Sequence, residues 1–365
     1  MSARVSAVPA RDVADRRFAA QLLSGSPASS PVEVVERLLA VQGQDSRGAR
    51  LAVRARTAGL TAADVDRALT QEKSLLITWV NRGTLHLIRS EDYWRLHRLT
   101  AKPQFQVGCG RILSRLGVPA AAADRAVGVV QRALAASGPL TRTQLADRLV
   151  SSGLPPGGGA ALQVLILASL RGIAVRGPMI GAEHAYVHVR DWLGAPPPEP
   201  EPDAALGWLA RRYLAGHGPA ADHDLARWAG LPVTWARRGL AAIADELADR
   251  SDGLAALAGS PAVPAGPLPR LLGPFDPVLL GWSSRAPVLG DRQGVVTVNG
   301  LFRPVALVAG RAEGIWAYRN GTVELELFGP LPSGVTAALE AEARDVRRFL
   351  ATAEAADPGD AAAED

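Results

Sequence analysis

Along the chain the apolar positions change period, and the changes predict the order of elements. Val34, Val35, Leu38, Leu39 and Val41 recur at the spacing of an amphipathic helix. Ser30-Pro31-Val32-Glu33 supplies its start: a serine able to cap, a proline at the first helical position, and a glutamate three residues after the serine. Gly43 is suited to break it. Arg47, Arg50, Leu51, Val53 and Arg54 predict a second helix, and Thr61-Ala62-Ala63-Asp64 caps a third. The pattern then turns β-rich over 75–80 and 84–88, with Asn81-Arg82-Gly83 between. Three helices followed by a ribbon is the order of a winged helix.

A second such order follows. Thr141-Arg142-Thr143-Gln144 is a capping box, 160–171 an apolar helix closed by Gly172, and 173–176 with 186–189 a ribbon. The proline-rich run over 195–202 excludes helix and sheet interior and reads as a linker. Beyond it, Gly218-Pro219 ahead of Leu225-Ala226 repeats the spacing of Gly138-Pro139 ahead of Leu145-Ala146, which marks a third unit. Its turn is Trp228-Ala229-Gly230-Leu231-Pro232 and its next helix 233–243. From 271 onward, short apolar runs at 278–280, 294–299, 304–308, 314–318 and 322–327 alternate with glycine turns, which predicts five strands in a small barrel. A helix over 335–350 and an acidic tail close the chain. The fold class is therefore α+β, divided as winged-helix units over 1–118, 119–195 and 196–265 (the last with the linker), a barrel with terminal helix over 266–350, and a disordered tail over 351–365.

Composition narrows the partners. The formal charge is +4, and the last fifteen residues hold five acidic side chains and no basic one. Removing those five from +4 leaves the body at about +9, which suits an anionic partner such as DNA. Only Lys73 and Lys102 among the forty basic residues are lysines, so a GC-rich genome explains part of the arginine excess. No apolar run is long enough to span a bilayer and no secretory signal precedes residue 17, so the expected location is the cytoplasm, at the nucleoid, with no membrane partner. Cys109 is the sole cysteine, which excludes an intramolecular disulfide and a cysteine-based zinc cluster. Asp222-His223-Asp224 looks like a metal cluster, but consecutive helical residues diverge, and a helix cap is the better reading. No metal or cofactor is expected.

Gln42-Gly43-Gln44 is the candidate for chemistry. Residues two apart point opposite ways on a helix and the same way on an extended segment, so the two amides converge only where the chain has left the helix. With Leu39-Ala40-Val41 before them and Asp45 after, with Trp79-Val80-Asn81-Arg82-Gly83-Thr84-Leu85-His86-Leu87, with residues 206–231, and with the run from Leu272-Gly273-Pro274-Phe275-Asp276-Pro277 to Trp282, the chain resembles the AlkZ-like and YcaQ-like bacterial DNA glycosylases. The likeness extends from about residue 12 to 350.

That resemblance implies tandem winged helices, a C-terminal barrel and removal of alkylated purines. The family signature is glutamine, an apolar residue, then glutamine or aspartate. Gln42 and Gln44 match the outer positions, and the second glutamine points to the AlkZ-like branch, which acts on crosslinks and bulky adducts. Gly43 departs from the apolar middle position. The implied partner is double-stranded alkylated or crosslinked DNA, met by a monomer. Its expected contacts are Arg47, Arg50, Arg54, Arg82, Thr84 and His86, with Arg292 and Arg319 on two alternative hairpins of the barrel. Asp45 is a secondary candidate for a base. The competing reading is a winged-helix transcription regulator without chemistry.

Overall fold

The computed structural model describes residues 10–181, 183–259, 266–292, 294–297 and 300–354. The chain opens with α1 (Ala10–Ala20) and α2 (Pro31–Leu38). Ser30 caps α2 through its side chain, which accepts from the Glu33 amide, and Val34, Val35 and Leu38 are fully buried. A two-residue extended segment, β1 (Val41–Gln42), leads to α3 (Ser46–Arg54), and α4 (Ala62–Thr70) follows. The break in the first helix comes at Leu39 and not at Gly43. Leu39 takes φ 62° and ψ −44°, and the Ala40 amide donates to the Leu38 carbonyl at 2.8 Å. This is a γ-turn of the strained form, and a left-handed leucine costs about 1–2 kcal/mol.

Next come β2 (Leu75–Val80) and β3 (Thr84–Arg89), an antiparallel pair in which Leu75 faces Arg89 and Val80 faces Thr84. Asn81, Arg82 and Gly83 all take positive φ, so the turn is left-handed throughout. A side chain at Gly83 would stand 2.7 Å from the Phe105 ring, which makes glycine necessary there. Helices α5 (Tyr93–Thr100), α6 (Pro103–Arg115), α7 (Ala120–Ser137), α8 (Arg142–Ser151) and α9 (Gly158–Leu170) precede β4 (Ala174–Ile180), β5 (Glu183–His188) and the short α10 (Val189–Leu193). The Thr141–Gln144 capping box forms as its sequence indicates. These strands pair in the order β3-β2-β4-β5.

The run from Ala195 to Glu201 carries no regular structure, and α11 (Pro202–His217), α12 (Asp222–Ala229) and α13 (Val233–Ala241) come after it, with Gly230 left-handed between the last two. Then follow β6 (Arg270–Leu272), two single-turn helices α14 (Pro277–Leu280) and α15 (Ala286–Leu289), β7 (Val305–Val308), β8 (Arg311–Arg319), β9 (Thr322–Leu327) and α16 (Ser333–Glu354). Strands β6 to β9 pair in chain order as an antiparallel meander. Among the described residues β9 does not pair back to β6, so this is an open four-stranded sheet and not a closed barrel. The run 278–280 is helical rather than extended, because Asp276 caps the Val278 amide and Pro277 occupies the first helical position. The run expected as a strand over 294–299 reaches residues outside those described, and its described part makes one isolated bridge, Val296 to Phe302. The acidic tail beyond 354 also lies outside the described residues.

Two compact units divide the chain. The first joins the N-terminal segment through Val65 to the segment that starts at Pro200, and the second comprises Asp66–Glu199. The boundary at 199/200 falls in the proline-rich linker. Within the first unit, Phe18, Leu272, Val278, Leu279, Val305, Leu307 and Ile315 form one apolar core.

Candidate active site

The local sequence brings the two glutamines together in three steps. The γ-turn at Leu39 ends the helix, β1 extends the chain, and Asp45 starts the next helix by accepting the Gly48 amide on Oδ1 at 2.6 Å. In the extended interval Gln42 and Gln44 project to the same side, and Gln42 Nε2 donates to Gln44 Oε1. Gln42 is buried and Gln44 exposed. The bond fixes the Gln44 amide with its carbonyl oxygen shared, and that oxygen keeps a second lone pair for another donor. Asp45 is half-buried, and its cap ties one carboxylate oxygen to the backbone.

Helix α3 sets the position of this segment, and it is held from several directions inside its unit. A side chain on Gly48 would lie 2.7 Å from the Pro274 carbonyl, and one on Gly273 would lie 2.8 Å from Leu51 Cβ, so helix and loop touch backbone to backbone. Just after the helix, Arg56 forms a two-pronged pair with Asp276, at 2.9 and 2.8 Å, and also donates to the Gln21 carbonyl and to Gln21 Oε1. The motif Gly273-Pro274-Phe275-Asp276-Pro277 is thus the seat of α3.

The arginines of α3 divide by environment. Arg47 is exposed, with its guanidinium carbon 5.6 Å from the centre of the Tyr318 ring on β8. That contact places the β8–β9 turn, with Arg319, Asn320 and Gly321, on the side of α3 that follows Gln44. Arg319 is exposed and only loosely paired, 3.7 Å from Glu324. Arg50 is buried and donates to the Ser46 carbonyl at 3.0 Å. Arg54 is buried, bound to Glu342 and Asp345 of α16 at 2.9 Å each and donating to the Leu271 carbonyl. Both guanidiniums were expected to be held out toward DNA, and both are instead drawn in, Arg54 by the carboxylates of α16 and the Leu271 carbonyl and Arg50 by the backbone of its own helix. Arg292 pairs with Glu313 at 3.0 Å and stacks over Phe328.

In the second unit, Arg82 and Thr84 are half-buried at the left-handed turn, and Thr84 Oγ1 donates to the Asn81 carbonyl at 3.3 Å. His86 is buried, with Nδ1 2.9 Å from the Thr84 carbonyl oxygen. Burial, and then the charge of Arg82, hold its pKa down to about 3, so the ring is neutral. The ring is thus held inside its unit, unlike the exposed Arg47.

Asp222-His223-Asp224 behaves as a cap. Asp224 accepts from the Ala221 amide at 3.1 Å and from Ser283, while Asp222 pairs with Arg237. Asp224 is buried rather than solvated; its burial is outweighed by the Ser283 and Ala221 hydrogen bonds and by Arg17, which keep its pKa low. Among the described residues no group of three His, Cys, Asp or Glu could hold a metal ion, and no helix is long and apolar enough to cross a membrane.

Comparison with known proteins gives this geometry its context. Residues 35–349 match the family described as AlkZ-like, DNA glycosylase AlkZ-like. The chain belongs to this family. An AlkZ-like chain from Streptomyces sahachiroi, described as an interstrand DNA cross-link repair glycosylase, is 28% identical over 375 residues, covering 93% of this chain and 95% of that one. The solved structure of the Streptomyces sahachiroi DNA glycosylase AlkZ superposes with a TM-score of 0.74 at 29% identity, over 94% of this chain and 97% of that one. The protein is accordingly a DNA glycosylase that acts on DNA, and the reading as a regulator without chemistry falls.

In this AlkZ-like glycosylase the sequence reasoning missed Tyr318, Arg56 and Gln21. The run containing Phe275-Asp276-Pro277 carried part of the resemblance, but nothing in the spacing of residues pairs Asp276 with an arginine 220 positions earlier.

Proposed function

We propose that Gln42 and Gln44 form the catalytic pair of a monofunctional glycosylase that hydrolyses the N-glycosidic bond of N7-alkylated purines, bulky adducts and interstrand crosslinks among them. The observation that carries this reading is the side-chain bond between the two amides at the end of a strained turn, with the second amide open to solvent. The name of the Streptomyces sahachiroi relative, a crosslink repair glycosylase, supports the bulky substrates.

The chemistry requires little more. A purine alkylated at N7 is a cation and leaves without a proton donor, so the paired carboxylates of sugar hydrolases are unnecessary. What is needed is a placed water and a negative dipole facing the positive charge that grows on the sugar. An amide is no general base near neutral pH, so both roles are positional and electrostatic. Gln44 Oε1, fixed by Gln42, accepts a hydrogen bond from the water, and the Gln42 carbonyl dipole faces the sugar. The unit that carries the glutamines has no lysine, since Lys73 and Lys102 both belong to the other, which favours base release without strand cleavage through a Schiff base.

The hairpin expected to meet a DNA groove is β8–β9, because Tyr318 brings it to Arg47. The helix-helix-helix-ribbon orders read as winged helices, and a monomer suffices for one lesion. Self-resistance to a DNA-alkylating antibiotic is the biological role this substrate class suggests.

The test is single-turnover release of 7-methylguanine from methylated duplex DNA by Gln42→Ala and Gln44→Ala. Each variant is expected to lose about 100-fold, the usual effect of removing one preorganised dipole. Full rates in both variants would remove the pair from the mechanism.

A further inference from the structure

The C-terminal sheet holds a second concentration of positive charge that the glutamine site does not use. A cavity of about 710 Å³ is lined by Arg285, Arg292 and Arg303, with Gly290, Val296 and Thr297 between them. Arg311 reaches its edge, with Nη1 3.7 Å from where a side chain on Gly290 would begin. Three arginines therefore line one hollow, and the guanidinium of a fourth stands beside Gly290 in its wall.

Little inside the molecule balances them. Arg292 has Glu313. Arg285 lies 4.9 Å over the Phe302 ring and donates Nε to the Leu279 carbonyl at 2.9 Å, so its partners there are a ring face and a neutral oxygen. Burial, and then the nearby charge of Arg227, push its pKa down, which marks an environment short of anions. Arg303 and Arg311 are exposed and form no ion pair among the described residues. Like charges held round one concavity repel, and the arrangement becomes favourable when an anion with several acceptor oxygens enters. Arginine forks match phosphate oxygens in pairs, and Arg285 is already fixed by its ring and carbonyl contacts.

We propose that this cavity is a phosphate site, separate from the glutamine pair, that takes a backbone phosphodiester of duplex DNA or a free phosphate group. The proposal does not rest on the catalytic assignment of Gln42 and Gln44. Its two sources differ in what they do to the glycosylase: a backbone phosphate anchors the duplex, whereas a free phosphate is a ligand in its own right.

The experiment uses the full chain with Arg303→Gln, Arg311→Gln and the double variant, with Arg303→Lys as the conservative change and Arg238→Gln, far from the cavity in sequence and paired with Asp203, as a charge control. Binding to an undamaged fluorescent duplex is followed against NaCl, and thermal midpoints are followed against inorganic phosphate. If the site holds a backbone phosphate, the slope of log K against log salt flattens by about 0.9 for each phosphate that the variant no longer neutralises. Arg303→Lys then keeps most of the slope, Arg238→Gln leaves it unchanged, and base release by excess enzyme at saturation is unaltered. If the site holds free phosphate, inorganic phosphate raises the midpoint of the unaltered protein and not of the double variant, while the slopes agree. Unchanged slopes together with no phosphate effect on the midpoint, or a slope change equal to that of Arg238→Gln, would overturn the proposal.

Discussion

Arg56 and Asp276 meet with both terminal guanidinium nitrogens on both carboxylate oxygens, and neither side chain reaches solvent. The pair joins the end of α3 to the loop that seats the same helix, and the Gln21 carbonyl, the Gln21 amide oxygen and the Ala52 carbonyl take the remaining donors. Removing one partner of such a pair strands the other charge. Asp276→Ala is expected to lower the unfolding free energy by about 3–5 kcal/mol, read by urea denaturation. A loss under about 1 kcal/mol would mean that water solvates Arg56.

Arg54 and Arg319 were both expected on DNA, and the structure separates them. Arg54→Met leaves Glu342 and Asp345 without their shared cation and is expected to cost about 3 kcal/mol of stability. Arg319→Gln is expected to stay within about 0.5 kcal/mol in stability, because its pair is exposed, and to weaken duplex binding. Equal effects on duplex affinity from two folded variants would refute this division.

Acid should destabilise the protein before its carboxylates titrate. His86 and His217 are buried and held down to about 3, chiefly by burial. His217 stacks on Tyr213 with centroids 4.8 Å apart and touches Trp228 and Trp282. Between about 6.5 and about 3 the unfolded chain binds protons that the folded rings refuse, so stability is full above 6.5 and falls as pH drops, by up to about 1.4 kcal/mol per unit for each ring. Urea midpoints at pH 7.5 and 5.0 should differ accordingly, and His217→Phe should shrink the difference. Identical midpoints at the two pH values would show that both rings charge freely in the fold.

The approach of α11 to the end of α2 depends on the lack of a side chain. A Cβ on Gly216 would stand 2.3 Å from the Arg37 carbonyl oxygen, which belongs to the last turn before Leu39. Gly216→Ala is expected to cost about 1–3 kcal/mol by overpacking. Because the displaced backbone leads directly to Gln42, base release should fall as well. Calorimetry and a base-release assay on one preparation check both.

Local chemistry made much of the fold legible. Ser30 with Glu33, Thr141 with Gln144, and Asn81-Arg82-Gly83 each specify their element through interactions within four residues, and all three form as their sequences indicate. The convergence of Gln42 and Gln44 was legible for the same reason, since it follows from the period of an extended chain. What failed were features settled at long range. Leu39 carries the left-handed turn although glycine was available four residues later, because its side chain is wholly buried and packing outweighs the backbone preference. The apolar run Val278-Leu279-Leu280 looked like a strand until the Asp276 cap and Pro277 are given their weight. The burial of Arg54 depends on α16 and the strand that carries Leu271 meeting α3 at that residue, and residue type alone does not reveal it.

The first unit is built from two lengths of chain that synthesis separates by more than a hundred residues. The glutamine segment leaves the ribosome early, yet Gly216, Pro274, Asp276 and α16 must all have emerged before α2 and α3 find their neighbours. A nascent or C-terminally shortened chain therefore carries the two glutamines without the scaffold that aligns them.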